Sequence, residues 1–185
     1  SGGLLLVARL SPNHARTVNW EFGLTQFRWD GTPLASSGAL PTEWNEPSNW
    51  DLGTVPMAGD TVIIRSVDED NGNATIANQP ILSTDVSVGN LTIGESGRLT
   101  PPASLTLHGH DLSVQTVTPP GLGAFSNNTN ATVYLNGDEV LTLTQDIDSG
   151  TFVYRGDGST PAYTVTFPDA FFNLQFQPPL SGNAS

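Results

Sequence analysis

The sequence predicts an all-β fold, a right-handed parallel β-helix or solenoid with an N-terminal cap, with a β-sandwich as the alternative. Three observations carry that reading. Helical periodicity is scarce, so no segment asks for a long amphipathic helix. Short runs of alternating apolar and polar residues recur, punctuated by Gly, Pro, Asn and Asp. Within residues 86–114 one small phrase repeats: a polar residue, leucine, a hydroxyl residue, then usually an aliphatic.

Residues 25–30 and 168–173 each offer one helical turn at most. The first clear strand is Asp60-Thr-Val-Ile-Ile-Arg65, entered through the turn Pro56-Met-Ala-Gly59. Ala74-Thr-Ile-Ala77 follows an Asp/Asn/Gly loop, and Val86-Ser-Val88 comes next. Then the repeated phrase appears as Asn90-Leu-Thr-Ile93, Arg98-Leu-Thr100, Ser104-Leu-Thr-Leu107 and Asp111-Leu-Ser-Val114. Leucines stacked one above another would fill an interior while the hydroxyl residues face outward. Hairpins in a sandwich need no such self-similarity. After the Pro119-Pro120-Gly121-Leu122-Gly123 break, strands are expected at residues 131–135, 140–144, 151–154, 162–167 and 172–176. Aromatic residues are frequent in this second series, which implies thicker packing. The chain thus divides into residues 1–26, an N-terminal segment read as a donor or capping strand; 27–118, cap and first coils; and 119–185, continuing β-rich coils.

Composition narrows the function. Only 13% of the 185 residues are charged, against roughly 25% in ordinary soluble domains. Lysine is absent, the six basic residues are all arginine, and the formal charge is −12. Such a surface repels phosphate backbones, which argues against a nucleic-acid partner. It attracts cations, and Ca²⁺, which prefers oxygen ligands, is the one cofactor the composition suggests. With no cysteine there are no disulfides, thiolate zinc sites or cysteine nucleophiles. No apolar run reaches the roughly 20 residues that span a bilayer; the run of residues 4–10 is short and broken by Arg9. Ser1 reads as a mature end left by a removed export signal, which places the chain outside the cell or on its surface.

The phrases Thr42-Glu-Trp-Asn45, Ser48-Asn-Trp-Asp51, Val55-Pro-Met-Ala-Gly-Asp-Thr-Val-Ile-Ile64, Gln79-Pro-Ile-Leu82 and Asn90-Leu-Thr-Ile93 occur in that order. This order resembles the opening of β-helical repeat regions in large secreted bacterial surface proteins of adhesin type. Gly150-Thr-Phe-Val-Tyr-Arg-Gly156 and Phe171-Phe-Asn-Leu-Gln-Phe176 are similar to later phrases of the same regions. The likeness covers roughly residues 27–176. It implies a surface scaffold, and no catalytic residues travel with its motif. The first 26 residues fall outside it, and the chain stops where another coil would begin. Open ends invite association, so a fragment of a longer chain or an end-to-end subunit is expected.

Candidate sites follow from residue chemistry. Trp44 and Trp50 are read either as a carbohydrate platform or as a cap over the first coil. Asp68, Asp70, Asn71 and Asn73 have the composition of a Ca²⁺ loop without EF-hand spacing, the other reading being a solvated turn. Asp146 and Asp148 form a weaker candidate of the same kind, and His108 with His110 a sparse metal pair. Leu4, Leu5, Leu6, Val7 and Leu10 need apolar cover and are read as assembly residues, either as a first strand of the fold or as a donor strand for a neighbour. Serine-nucleophile motifs are missing, and lysine cannot serve as a base. The leading expectation is therefore a non-enzymatic structural or adhesive module, a surface-protein or filament building block assembling through strand edges and ends. Its partners would be copies of itself or neighbouring surface-protein domains. A carbohydrate-binding module with glycan partners is the alternative, and a polysaccharide-active β-helix enzyme the second.

Overall fold

The computed structural model describes residues 26–31, 40–94, 102–117, 120–144, 146–156 and 171–178. They form an all-β structure whose only helical elements are two short 3₁₀ turns, Pro47–Asn49 and Glu69–Asn71. No helix among them is long and apolar enough to cross a membrane.

Sheet I has the order β1 (Gln26–Arg28), β2 (Thr61–Ile64), β6 (Asn90–Ile93) and β10 (Phe125–Asn127). Sheet II runs β7 (Ser104–Thr106), β11 (Thr132–Leu135), β13 (Thr151–Tyr154) and β14 (Asn173–Phe176). Parallel bridges extend it beyond β7 through Ile81 to Glu43. Sheet III holds β5 (Val86–Val88), β8 (Leu112–Val117) and β12 (Leu141–Thr142). All pairing within these three ladders is parallel. Among the described residues antiparallel pairing is confined to β9 (Pro120–Leu122) on β8, the small ribbon of β3 (Val67–Asp68) with β4 (Ala74–Thr75), and the bridge Trp29–Trp50. That is not the pairing of a sandwich built from two antiparallel sheets.

From β5 to β12 the chain visits the three sheets in a fixed order, after which β13 and β14 both join sheet II. Strands β5, β6, β7, β8, β10, β11 and β12 fall in sheets III, I, II, III, I, II and III. Segments before and after residue 118 therefore share all three sheets.

Period-two alternation decides which side chain enters the core. In sheet I the inward rows are Val62–Leu91–Phe125 and Ile64–Ile93–Asn127. In sheet II the central inward row is Leu105–Val133–Phe152–Leu174. The repeated phrase acts as its pattern predicts: Leu91, Leu105 and Leu112 are buried, while Thr92, Thr106 and Ser113 lie at the surface side. Outward rows add polar bonds, such as Asn90 Nδ2 donating to Thr61 Oγ1 at 3.1 Å.

Two local outcomes differ from the sequence expectation. Residues 26–28 form a strand and not a helical turn, because Phe27 turns inward between Gln26 and Arg28 and pairs with Val62. Strands β3 and β10 are too short and polar to announce themselves; β10 exists through its pairing with β6. The segments at 98–100 and 162–167 lie outside the described residues.

One corner is built on backbone contact. Gly89 alone separates β5 from β6, and a Cβ there would lie 2.5 Å from the Gly59 carbonyl oxygen. A Cβ on Gly123 would in turn collide with the Gly89 carbonyl oxygen. Gly59, Gly89 and Gly123 thus stack main chain on main chain where sheet III passes to sheet I. Replacing Gly89 by Ala is expected to cost about 1–3 kcal/mol as overpacking, read as a lower urea midpoint; an unchanged midpoint would contradict the contact.

Candidate functional site: a closed end and an uncovered one

The strand orders define two ends. At the first, Trp29, Trp44 and Trp50 are all buried. The Trp50 ring meets Phe27, Trp29 and Trp44 edge-on, with centroids 6.2, 5.0 and 4.7 Å away. Trp50 Nε1 donates to the Trp44 carbonyl at 2.8 Å, and Trp29 Nε1 to that of Asn78 at 2.7 Å. Asn49 Nδ2 donates to the carbonyls of Leu40 and Glu43 at 3.0 and 2.9 Å. Buried aromatic rings need such partners for their N–H groups. The carbohydrate platform read from Trp44 and Trp50 is corrected here: neither indole leaves a face on which a sugar could stack. Trp29, which the sequence reading did not single out, joins the cluster through its contact with Trp50; its alternation with Phe27 across Arg28 was the available signal.

Beside these rings the Arg65 guanidinium is 4% exposed. Its Nε donates to the Trp29 carbonyl at 3.2 Å, and its Nη2 meets Asp30 closely and Asp68 at 3.3 Å. Asp70 lies 3.8 Å from Nη1. Of the residues read as a Ca²⁺ loop, two are turned to this guanidinium. Asp68 and Asp70 face an arginine, Asp68 additionally accepts from the Asp70 N–H at 3.2 Å, and Asn71 and Asn73 stand exposed around the turn. Among the described residues no group of three or more His, Cys, Asp or Glu is arranged to hold a metal ion. His110 instead lies 3.5 Å from Asp85, and His108 takes a left-handed turn conformation.

On the outward face of sheet I a shallow cavity of about 270 Å³ opens beside Arg28, Ile63, Thr92 and Asn128. Glu69 and Arg65 also line it, so its charges are mixed and select no single ion.

The second end contrasts with the first. In sheet I the edge strand β10 is guarded: the Asn127 N–H donates to Asp146 Oδ2 at 2.9 Å. Burial works against the Asp146 carboxylate, yet hydrogen bonds from the Asp148 and Asn127 N–H groups hold its pKa below the ordinary value. Asp146 is thus an edge cap. In sheet II the last strand β14 continues the inward rows, Leu174 opposite Phe152 and Phe176 opposite Tyr154. Yet Leu174 is 40% exposed and Phe176 70%, the latter stacked on Tyr154 with centroids 5.7 Å apart. Val140, Ile147 and Phe172 are exposed apolar residues of the same region of the chain. Residues 171–178 carry no charged side chain. The sequence reading saw 172–176 only as another strand; the uncharged aromatic run within an acidic chain was the clue. Leu4, Leu5, Leu6, Val7 and Leu10, the expected assembly residues, lie outside the described residues.

The chain matches no protein-family model, no curated protein and no solved structure.

Asp51 supplies a test of the closed end. Burial pushes its pKa from 3.8 to about 6, with the negative charge of Asp30 adding to the effect, although the carboxylate accepts from the Arg28 N–H at 2.9 Å. A carboxyl raised in the folded state stabilises it fully below about pH 4, and that contribution is lost as pH rises through about 6. Asp51→Asn keeps an acceptor for Arg28 and removes the charge. It is expected to stabilise the protein by about 2 kcal/mol at pH 7.5 and to be neutral near pH 4, measured by urea unfolding at both pH values.

Proposed function

We propose that the chain is an extracellular structural or adhesive module, a building block of a surface protein or filament that works by assembly and not by a chemical step. The observation that carries this reading is the inward apolar row that continues onto β14 and is left uncovered there. Exposed rows of large apolar side chains mark association surfaces, and an uncharged strand edge lacks the usual protection against pairing.

The fixed visiting order of three parallel ladders supports a β-helical winding, with the right-handed sense that parallel crossovers almost always take. In that reading the Trp29–Trp44–Trp50 cluster is the N-terminal cap. The likeness of residues 27–176 to repeat regions of secreted bacterial surface proteins agrees with it. The partners are copies of the chain or neighbouring surface-protein domains, and the apolar residues 4–10 act as a donor strand to a neighbour.

Sedimentation velocity over a hundredfold concentration range tests the proposal. Growth in particle size with concentration is expected; a strictly monomeric particle throughout would remove the assembly reading. Deleting residues 1–10 is expected to weaken that association, and unchanged assembly would withdraw the donor role from Leu4, Leu5, Leu6, Val7 and Leu10.

A further inference from the structure

We infer that β14 is one half of a twofold interface, which a second copy of this chain completes by laying its own β14 antiparallel against the first, with Gln175 opposite Gln175 of the second copy. This rests on the assembly reading and goes beyond it by naming the strand, the register and the occupant.

The argument begins with alternation. Leu174 and Phe176 point inward, following Phe152 and Tyr154, whereas Asn173 and Gln175 alternate with them, opposite Thr151 and Val153, and are exposed even though Val153 itself is buried. An antiparallel pairing centred on Gln175 sets Leu174 beside Phe176 of the second copy, and Phe176 beside its Leu174. All four side chains then share one face and cover one another. A shift by one residue would put Leu174 opposite Gln175 and break that match. The outward face remains polar: Gln177 Nε2 donates to Gln175 Oε1, and Arg155 Nε donates to Gln177 Oε1, both at 3.3 Å.

Charge argues for the same occupant. Two chains of formal charge −12 repel one another, so they must meet where charge is lowest. Residues 171–178 contain no Asp, Glu, Arg or His. A head-to-tail arrangement would seat this edge on the opposite end, where the aromatic rows are already buried. In sheet I the second end is blocked by the Asp146 carboxylate on the Asn127 N–H. A self-complementary twofold contact needs only the outer edge of β14, which no strand among the described residues pairs, and twofold pairs are the commonest closed assemblies.

The chain has no cysteine, so one introduced thiol reports contact cleanly. Directly opposed antiparallel residues have Cα atoms about 4.5–5.5 Å apart, within the span a disulfide bridges. Under mild oxidation Gln175→Cys is expected to give a covalent dimer at least tenfold faster than Ala77→Cys, at a position exposed elsewhere. The double variant Leu174→Asp/Phe176→Asp is expected to weaken self-association at least tenfold while circular dichroism still shows the wild-type β spectrum. If the wild-type chain associates but Gln175→Cys cross-links no faster than Ala77→Cys, or the double variant associates normally, the β14 interface is wrong and the assembly reading survives. If the wild type is monomeric at every concentration, the assembly reading fails and takes the interface with it.

Discussion

Parallel strands paired in register hand each inward side chain to the same position on the next strand, and everything else in this protein is arranged around that constraint. Val62 rests on Leu91, Leu91 on Phe125, and Leu105 leads through Val133 and Phe152 to Leu174. No strand here is long enough to hold itself; a strand of three or four residues contributes a few ladder bonds and one or two buried side chains. Stability is shared between neighbours, as in other quasi-one-dimensional proteins. The rows must therefore end somewhere, and how they end becomes the chemical character of the molecule.

The two ends are treated in opposite ways. At one, rings packed edge to face fill the interior, and their N–H groups are met by backbone carbonyls. Arg65 then ties the strand bearing Phe27 and Trp29 to the Asp68 excursion through a carbonyl and three carboxylates. A buried guanidinium of this kind is costly to strand without partners, so the acidic residues around it secure local geometry. At the other end a carboxylate closes one sheet edge, while the neighbouring sheet carries aromatic side chains outward past the last covering strand.

Much of this architecture is legible in the amino-acid order. Leu91, Leu105 and Leu112 could be placed inside because each is flanked by residues content in water, and the all-β class follows from the lack of a helical stripe. Residues whose role depends on distant partners were harder to read. Asp68 and Asp70 look like cation ligands in one dimension; their cation is Arg65, whose long side chain folds back toward them. Trp44 and Trp50 carry the same indole whether it faces a sugar or another ring, and only packing distinguishes the two. Phe125-Ser126-Asn127 has almost no strand signature because its conformation is imposed by β6. For Phe176, local pattern gives the face but not whether anything lies beyond it.

The glycine corner has a consequence for how such a chain can change. Where Gly59, Gly89 and Gly123 touch through their main chains, the spacing from one strand to the next is fixed by atoms that no substitution can shrink. The passage from sheet I to sheet II has close approaches of its own, Gly31 against the Asn78 carbonyl and Gly150 against that of Asn127, yet its length varies: after β2 it carries the β3–β4 ribbon, and after β10 it is a brief turn. Length can be added on that side without disturbing the corner. The corner admits length as well, because β8 and β9 fold out as an antiparallel ribbon between Val114 and Gly123: like a bound book, the molecule keeps the thickness of its spine and lets extra material project from it.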